Sequence, residues 1–498
     1  MPGRFGIGDF GPEADRFLDW AASAGQSLWQ ILPLVPTGLF DSPYGGISAF
    51  AGNPLLISPE RLLEEGLLDR ETLEGEVAPS SQSVDFAAAR ARKERILRRS
   101  WGIFRDRASP RERDELSAFR DGPRQASWLA DWCLFRSLLD KFPAAPWNRW
   151  PSELAGRRSH ALEAARRELE TEIAFHEYVQ WIFFRQWDRV REGARRRGIA
   201  VVGDVPIYVA HNGADVWAHP DLFALDAGGS PETVAGVPPD AFSQTGQLWG
   251  YPLYQWERME KEGYAWWIER LRMAFVSADL VRLDHFRGFE SYWAVPASAT
   301  DASAGSWRPG PGEKLFRAVR AALGDVAIVA EDLGLVTEEV NKLREAVAIP
   351  GMKVLQFAFS EEDSPHAPHR HVRDAVVYTG THDNDTARGW YAALALEDRV
   401  RATEYLNVDG SAIEWDLIRA AYTSVAERAV VPLQDVFGLG SDARMNTPAR
   451  AHGNWAWRAR AEDFTQERAE RLKRLAELTG RSSQLSALSR ESEVGSVS

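Results

Sequence analysis

Four short apolar runs in this chain each close on an acidic residue. IAVVGD ends at Asp204, DLVRLD at Asp284, VAIVAE at Glu331, and AVVYTGTHD at Asp383. Near-continuous Val, Ile, Leu and Ala are what strands covered on both faces require, because neither face meets water. Stretches of helical periodicity separate the runs, so the pattern predicts strands alternating with helices and a parallel sheet. Further strand candidates are SLWQILPL at 27–34, MKVLQFAF at 352–359 and AVVPLQDVF at 429–437. In a (β/α)8 barrel the carboxyl ends of the strands form the active-site face, which is where this sequence places its acids. The expected fold is therefore α/β, a (β/α)8 TIM barrel with large helical insertions.

Residues 84–198 break the alternation. FAAARARKERILRRS, RDELSAFRDG and HALEAARRELETEIAFHEYVQWIFFRQWDRVREGARRRG are helical in period, with no strand pattern between them. A barrel needs only about 250 residues, whereas the chain has 498. The stretch reads as a helical insertion within a catalytic barrel of 1–478, a separate helical domain being the alternative. The Ser-rich segment 479–498 has no sustained apolar period and is expected to be disordered.

A formal charge of -13 disfavours nucleic acid and anionic membranes as main partners. No run is long and apolar enough for a spanning helix, and MPGRFGIGDF lacks a secretory order of basic then apolar residues. The single cysteine, Cys133, cannot form an internal disulfide and sits in a helical-looking segment, which reads as a buried structural residue and fits a cytoplasmic protein. The 20 tryptophans and 11 tyrosines suit a sugar ligand, because both side chains stack on an apolar ring face while bonding to hydroxyls.

Asp284 and Glu331, at the ends of neighbouring predicted strands, are a pair suited to retaining glycoside chemistry. One carboxylate attacks the anomeric carbon and the other protonates the leaving oxygen, at a separation of about 5 to 5.5 Å. Adjacent strands lie about 4.8 Å apart. Arg282, two residues before Asp284, shares its side of the strand and favours the ionised nucleophile. Glu331 follows an apolar run, where desolvation favours the protonated acid. Asp383, beside His382, comes from a later strand end and could hold ring hydroxyls. Taken singly, each feature has a plainer reading: Arg-x-Asp as a salt bridge, THDND as a metal site, PTGLFDSPYGG and AGVPPDAFSQTGQLWGYP as turn-rich loops. Their order at successive strand ends is what favours catalysis.

The chain resembles the amylomaltase, or 4-α-glucanotransferase, family up to about residue 475. The resemblance rests on FGIGDFG, LPLVPTG, DSPYGGISAFAGNPLLI, PWNRWP, GDVPIYVAHNGADVWAHP, AGVPPDAFSQTGQLWGYPLYQW, VRLDHFRGFESYW, PGEKLF, VAEDLG, PGMKVLQFAF, YTGTHDNDT, ARMNTPA and GNWAWR. It implies Asp284 as nucleophile, Glu331 as acid/base and Asp383 as transition-state stabiliser. Arg282 and His382 match residues contacting nucleophile and glucose. Tyr44 and Trp249 lie in loops along the glucan path, the loop 236–252 arching over the groove. Asp332 matches a further site carboxylate, and Asp204 joins the substrate-binding candidates. The implied reaction moves an α-1,4-glucan segment to the 4-hydroxyl of an acceptor, with maltooligosaccharides, amylose or glycogen-derived glucans as partners and no cofactor or metal. Hydrolysis by the same carboxylates, a silent glucan-binding protein and a metal-dependent barrel enzyme are the competing readings. Two departures stand out: the family's apolar first strand is missing ahead of Met1-Pro2-Gly3, and GGI at 45–47 replaces a bulkier polar and aromatic stretch.

Overall fold

The computed structural model describes residues 1–239 and 243–482. Among these residues it holds eleven strands: β1 Leu28–Gln30, β2 Ala200–Val205, β3 Thr233–Val237, β4 Gln247–Pro252, β5 Leu280–Leu283, β6 Ser291–Pro296, β7 Ser306–Pro309, β8 Ile328–Ala330, β9 Gly351–Val354, β10 Ala375–Tyr378 and β11 Arg428–Val430. The fold is mixed α/β.

Seven of these strands run parallel, in two sheets ordered β1-β2-β5-β8 and β9-β10-β11. The hydrogen bond from Ala330 N to Pro350 O, 2.9 Å, joins the sheets where β8 meets the approach to β9. Every residue of β5, β8 and β10 is buried, as their apolar composition demands of strands covered on both faces. Helices fill the crossovers: Ala265–Ser277 before β5, Glu313–Leu323 before β8, Glu338–Ala346 before β9 and Ile413–Thr423 before β11. Neighbours in space follow chain order throughout. The outer edges, β1 and β11, face each other across a cleft of about 280 Å³ lined by Leu28, Trp29, Tyr378, Val430 and Val431. The Tyr378 hydroxyl, on β10, donates across it to Gln30 Oε1 on β1 at 2.9 Å.

The strand candidates at 27–34, 352–359 and 429–437 are shorter than their apolar runs. Pro33 and Pro432 lack an N–H for a ladder, and the chain turns into short helical segments at Leu355–Phe357 and Leu433–Phe437. A third, antiparallel sheet, β4-β3-β6-β7, grows from the connections after β2 and β5. Gly246 opens the approach to β4 at φ +68, where an added Cβ would meet Val237 O at 2.2 Å, so only glycine fits.

Between residues 86 and 196 the described elements are all helical, ending in the 27-residue helix Glu170–Arg196. Two buried glutamines on that helix hook the segment leading out of β1. Gln180 accepts from Gly52 N at 2.7 Å and donates to Gly52 O at 2.9 Å; Gln186 does the same with Ser58, at 2.7 and 3.2 Å. Asp215 accepts from Ala49 N at 2.8 Å. These bonds fix the loop that carries Tyr44. Of 479–498, Arg481 donates to the carbonyls of Tyr422, Ser424, Ala426 and Glu427; residues 483–498 lie outside the described residues. Cys133 is buried. No described helix is long and apolar enough to cross a membrane.

Candidate active site

Parallel register brings the central carboxylates together. Leu283 on β5 is the partner of Ala330 on β8, so Asp284 and Glu331 are the next residues on adjacent strands. The ladder continues past them: Glu331 N donates to Leu283 O and Phe286 N to Glu331 O, both at 2.9 Å, while Asp284 N donates to Val205 O at 3.0 Å. His285 then turns into the left-handed region at φ +50. That turn aims its N–H at Glu331 Oε2, 2.7 Å away, while Leu333 N reaches Oε1 at 3.0 Å. A non-glycine residue held there is backbone strain placed at the centre of the site.

Arg282 lies beneath the pair, buried. Its Nη1 contacts both Asp204 oxygens at 2.8 Å and Asp284 Oδ1 at 3.0 Å. Burial alone disfavours its cation, yet Asp204 and Asp284 raise its pKa well above the ordinary arginine value. Burial also pushes Asp204 upward. The guanidinium in contact with both its oxygens opposes that shift, and the Tyr44 hydroxyl, donating at 2.8 Å, does the same. Asp204 and Arg282 form a buried salt bridge. The role of Asp204 in this geometry is to hold Arg282 under Asp284.

Glu331 stands in a different field. Burial is the largest cause, outweighing the Arg282 cation, and the Asp284 charge adds to it, raising Glu331 to about 8. At neutral pH this group carries a proton, beside a second carboxylate that rests on a guanidinium. Two neighbouring acids are thus prepared for different tasks.

Asp383 arrives from another direction, in the loop 379–387 after β10. Asn446 Nδ2 donates to its Oδ1 at 2.6 Å and Arg444 Nη2 to its backbone carbonyl at 2.6 Å. His382 Nε2 lies 3.5 Å from its Oδ2. The His382 ring stacks on Tyr44, centroids 4.9 Å apart at 20°, with Trp455 packed against both at 5.7 and 5.6 Å. Trp249, on β4, stands edge-on to His285 at 4.8 Å, and burial lowers the His285 pKa to about 4, leaving that ring neutral.

The structure thus gathers Asp204, Arg282, Asp284, Glu331, His382, Asp383, Tyr44 and Trp249 around one set of strand ends. Asp332 is not brought into that group. Its Oδ1 accepts from Met352 N at 2.6 Å and its Oδ2 lies 3.3 Å from Arg344 Nε, so the side chain supports β9. Successive strand residues point to opposite sides, and Glu331 takes the inner one. Sequence reasoning assigned no role to Asn446, Arg444, Trp455 or His285. ARMNTPA, GNWAWR and VRLDHFRGFE were visible as motifs, but nothing local ties the first two to a loop some sixty residues upstream.

A family model described as 4-alpha-glucanotransferase matches residues 1–464. The chain is similar to the 4-alpha-glucanotransferase of Thermus thermophilus, 46% identical over 490 residues that span 97% of each chain. It is similar to that of Synechocystis sp. at 46% over 490 residues, 97% of this chain and 96% of the other. Among solved structures it is similar to amylomaltase from Streptococcus agalactiae in complex with acarbose, at a TM-score of 0.93 and 35% identity, covering 97% of both chains.

Proposed function

The chain belongs to the 4-alpha-glucanotransferase family, and on that premise we propose that Asp284, Glu331 and Asp383 carry out α-1,4-glucan transfer by double displacement. The protein is a 4-α-glucanotransferase. The observation supporting these residue roles is the pairing of Asp284, held on Arg282, with a Glu331 raised to about 8 on the adjacent strand.

In the first step a carboxylate oxygen of Asp284 attacks the anomeric carbon of a donor glucan and the glycosidic C–O bond breaks. The Glu331 proton goes to the departing 4-oxygen. In the second, Glu331, now ionised, takes the proton from the acceptor 4-hydroxyl as that oxygen displaces Asp284. Configuration is retained and Glu331 ends reprotonated. Asp383, steadied by Asn446, accepts hydrogen bonds from ring hydroxyls, and His382 and Tyr44 bound the same glucose. Tyr44, Trp455 and Trp249 offer aromatic faces along the glucan path. The substrates in this reading are maltooligosaccharides and longer α-1,4-glucans, and acarbose, bound to the Streptococcus agalactiae amylomaltase, is the expected ligand of this site too.

The parallel strands read as a (β/α)8 barrel, its edges β1 and β11 facing across a cleft. Residues 84–198 read as an insertion into that barrel. A cytoplasmic enzyme fits a chain whose one cysteine is buried and unpaired. Incubation with maltotriose tests the activity: longer oligomers together with glucose are expected, and shortening alone would replace transfer with hydrolysis.

A further inference from the structure

The loop 379–387 carries His382 and Asp383 between the end of β10 and the helix Ala387–Ala393. One side chain from the next β/α unit touches both ends of it. Asp435, 1% exposed in the short helix Leu433–Phe437, accepts from the Thr379 hydroxyl through Oδ2 and from Ala387 N through Oδ1, both at 2.7 Å. Thr379 is itself fully buried. The acids Glu414 and Asp385 both act against the charge of Asp435. A buried carboxylate in such company is unfavourable unless both oxygens are satisfied, and here the two donors that satisfy them are the two hinges of the Asp383 loop.

The remaining bonds each hold single points inside the loop, those of Asn446 and Arg444 to Asp383 among them. Asn384 Oδ1 accepts from Thr381 N and Oγ1, each at 2.9 Å, and Gln356 Nε2 donates to Asp385 O at 2.8 Å. They shape the loop but do not tie both its ends to one point. The Asp435 carboxylate does.

We propose that Asp435 is a positioning residue for glucan transfer, clamping both ends of the 379–387 loop so that Asp383 and His382 stand at the correct height over Asp284. The inference rests on the reading of Asp383 as the group that supports the distorted ring. Misplacing such a group by about 1 Å can cost about 100-fold in rate. Asp435→Asn keeps an acceptor for Ala387 N but puts an amide against the Thr379 hydroxyl; Thr379→Val removes that hydroxyl without changing shape.

The test measures kcat and KM for maltotriose disproportionation in Asp435→Asn, Thr379→Val, Asp383→Asn and the Asp383→Asn/Asp435→Asn double variant. All are assayed well below their thermal midpoints, with enough enzyme to follow residual turnover. The expected result is a kcat lowered about tenfold in each clamp variant with KM within about twofold, and no further loss when Asp435→Asn is added to Asp383→Asn, because coupled residues are non-additive. Wild-type kcat in both clamp variants, or an equal loss in both backgrounds, overturns the clamp. Should Asp435→Asn fail to fold, Thr379→Val, with Thr379→Val/Asp383→Asn, decides alone. Full activity in Asp383→Asn would instead bring down the role given to Asp383, an outcome distinct from failure of the clamp.

Discussion

The two halves of the site are built by different means. Asp284 and Glu331 follow directly on paired strands, and main-chain bonds from Leu283, Val205, Phe286 and His285 fix their spacing. Asp383 stands at 45% side-chain exposure in a loop, held by Asn446 and Arg444 from a distant segment. Backbone register cannot be removed by a side-chain substitution, whereas a side-chain brace can. The pair should therefore tolerate changes around it, and Asp383 should be sensitive to residues that never meet the sugar.

The largest effect is expected at the pair itself. Asp284→Asn should lower turnover by more than about 1,000-fold, or about 4 kcal/mol of barrier, while glucan binding measured by calorimetry persists. Residual turnover near wild type would remove Asp284 from the nucleophile role. Glu331→Gln should be as inactive on maltotriose yet recover glucosylation with an α-glucosyl fluoride donor, whose leaving group needs no proton. Lack of recovery would mean that Glu331 does more than supply that proton.

Next comes the brace. Asn446→Ala should lower kcat about 10- to 100-fold with little change in thermal midpoint, since the bond it removes lies in a half-exposed cleft. Unchanged kcat would show that Asp383 needs no brace.

A smaller, graded effect follows from pH. Glu331 is raised from the usual carboxylate range to about 8, so the acid form required for the first step is present below that value and lost above it. The pH profile of kcat/KM should fall on its alkaline side near pH 8. The stability sign agrees: a carboxyl kept neutral by burial resists deprotonation, so this contribution weakens as pH rises through the folded value. An alkaline limb that stays flat to pH 10 would contradict the assignment.

The acids at the ends of apolar runs were legible because burial on both faces leaves a compositional mark that breaks off where the strand ends. Asp284, Glu331 and Asp383 all stand just past such a break. Asp332 has the same address, one residue on, but the pleat sends it to the other side, against Met352 and Arg344. Strand lengths were less legible, since SLWQILPL and AVVPLQDVF stay apolar beyond the point where proline ends the ladder.

Composition and periodicity by themselves determined that this chain alternates strand and helix, which carboxylates end the strands, and, through its motifs, which family it resembles. Those properties are local, written in neighbouring residues by the needs of burial and backbone pairing. The tertiary structure alone decided that Arg282 is shared between Asp204 and Asp284, that Asn446 holds Asp383, and that Asp435 joins Thr379 to Ala387. Each of these contacts depends on the packing of whole β/α units, which sets distances between residues far apart in the chain that no local pattern encodes.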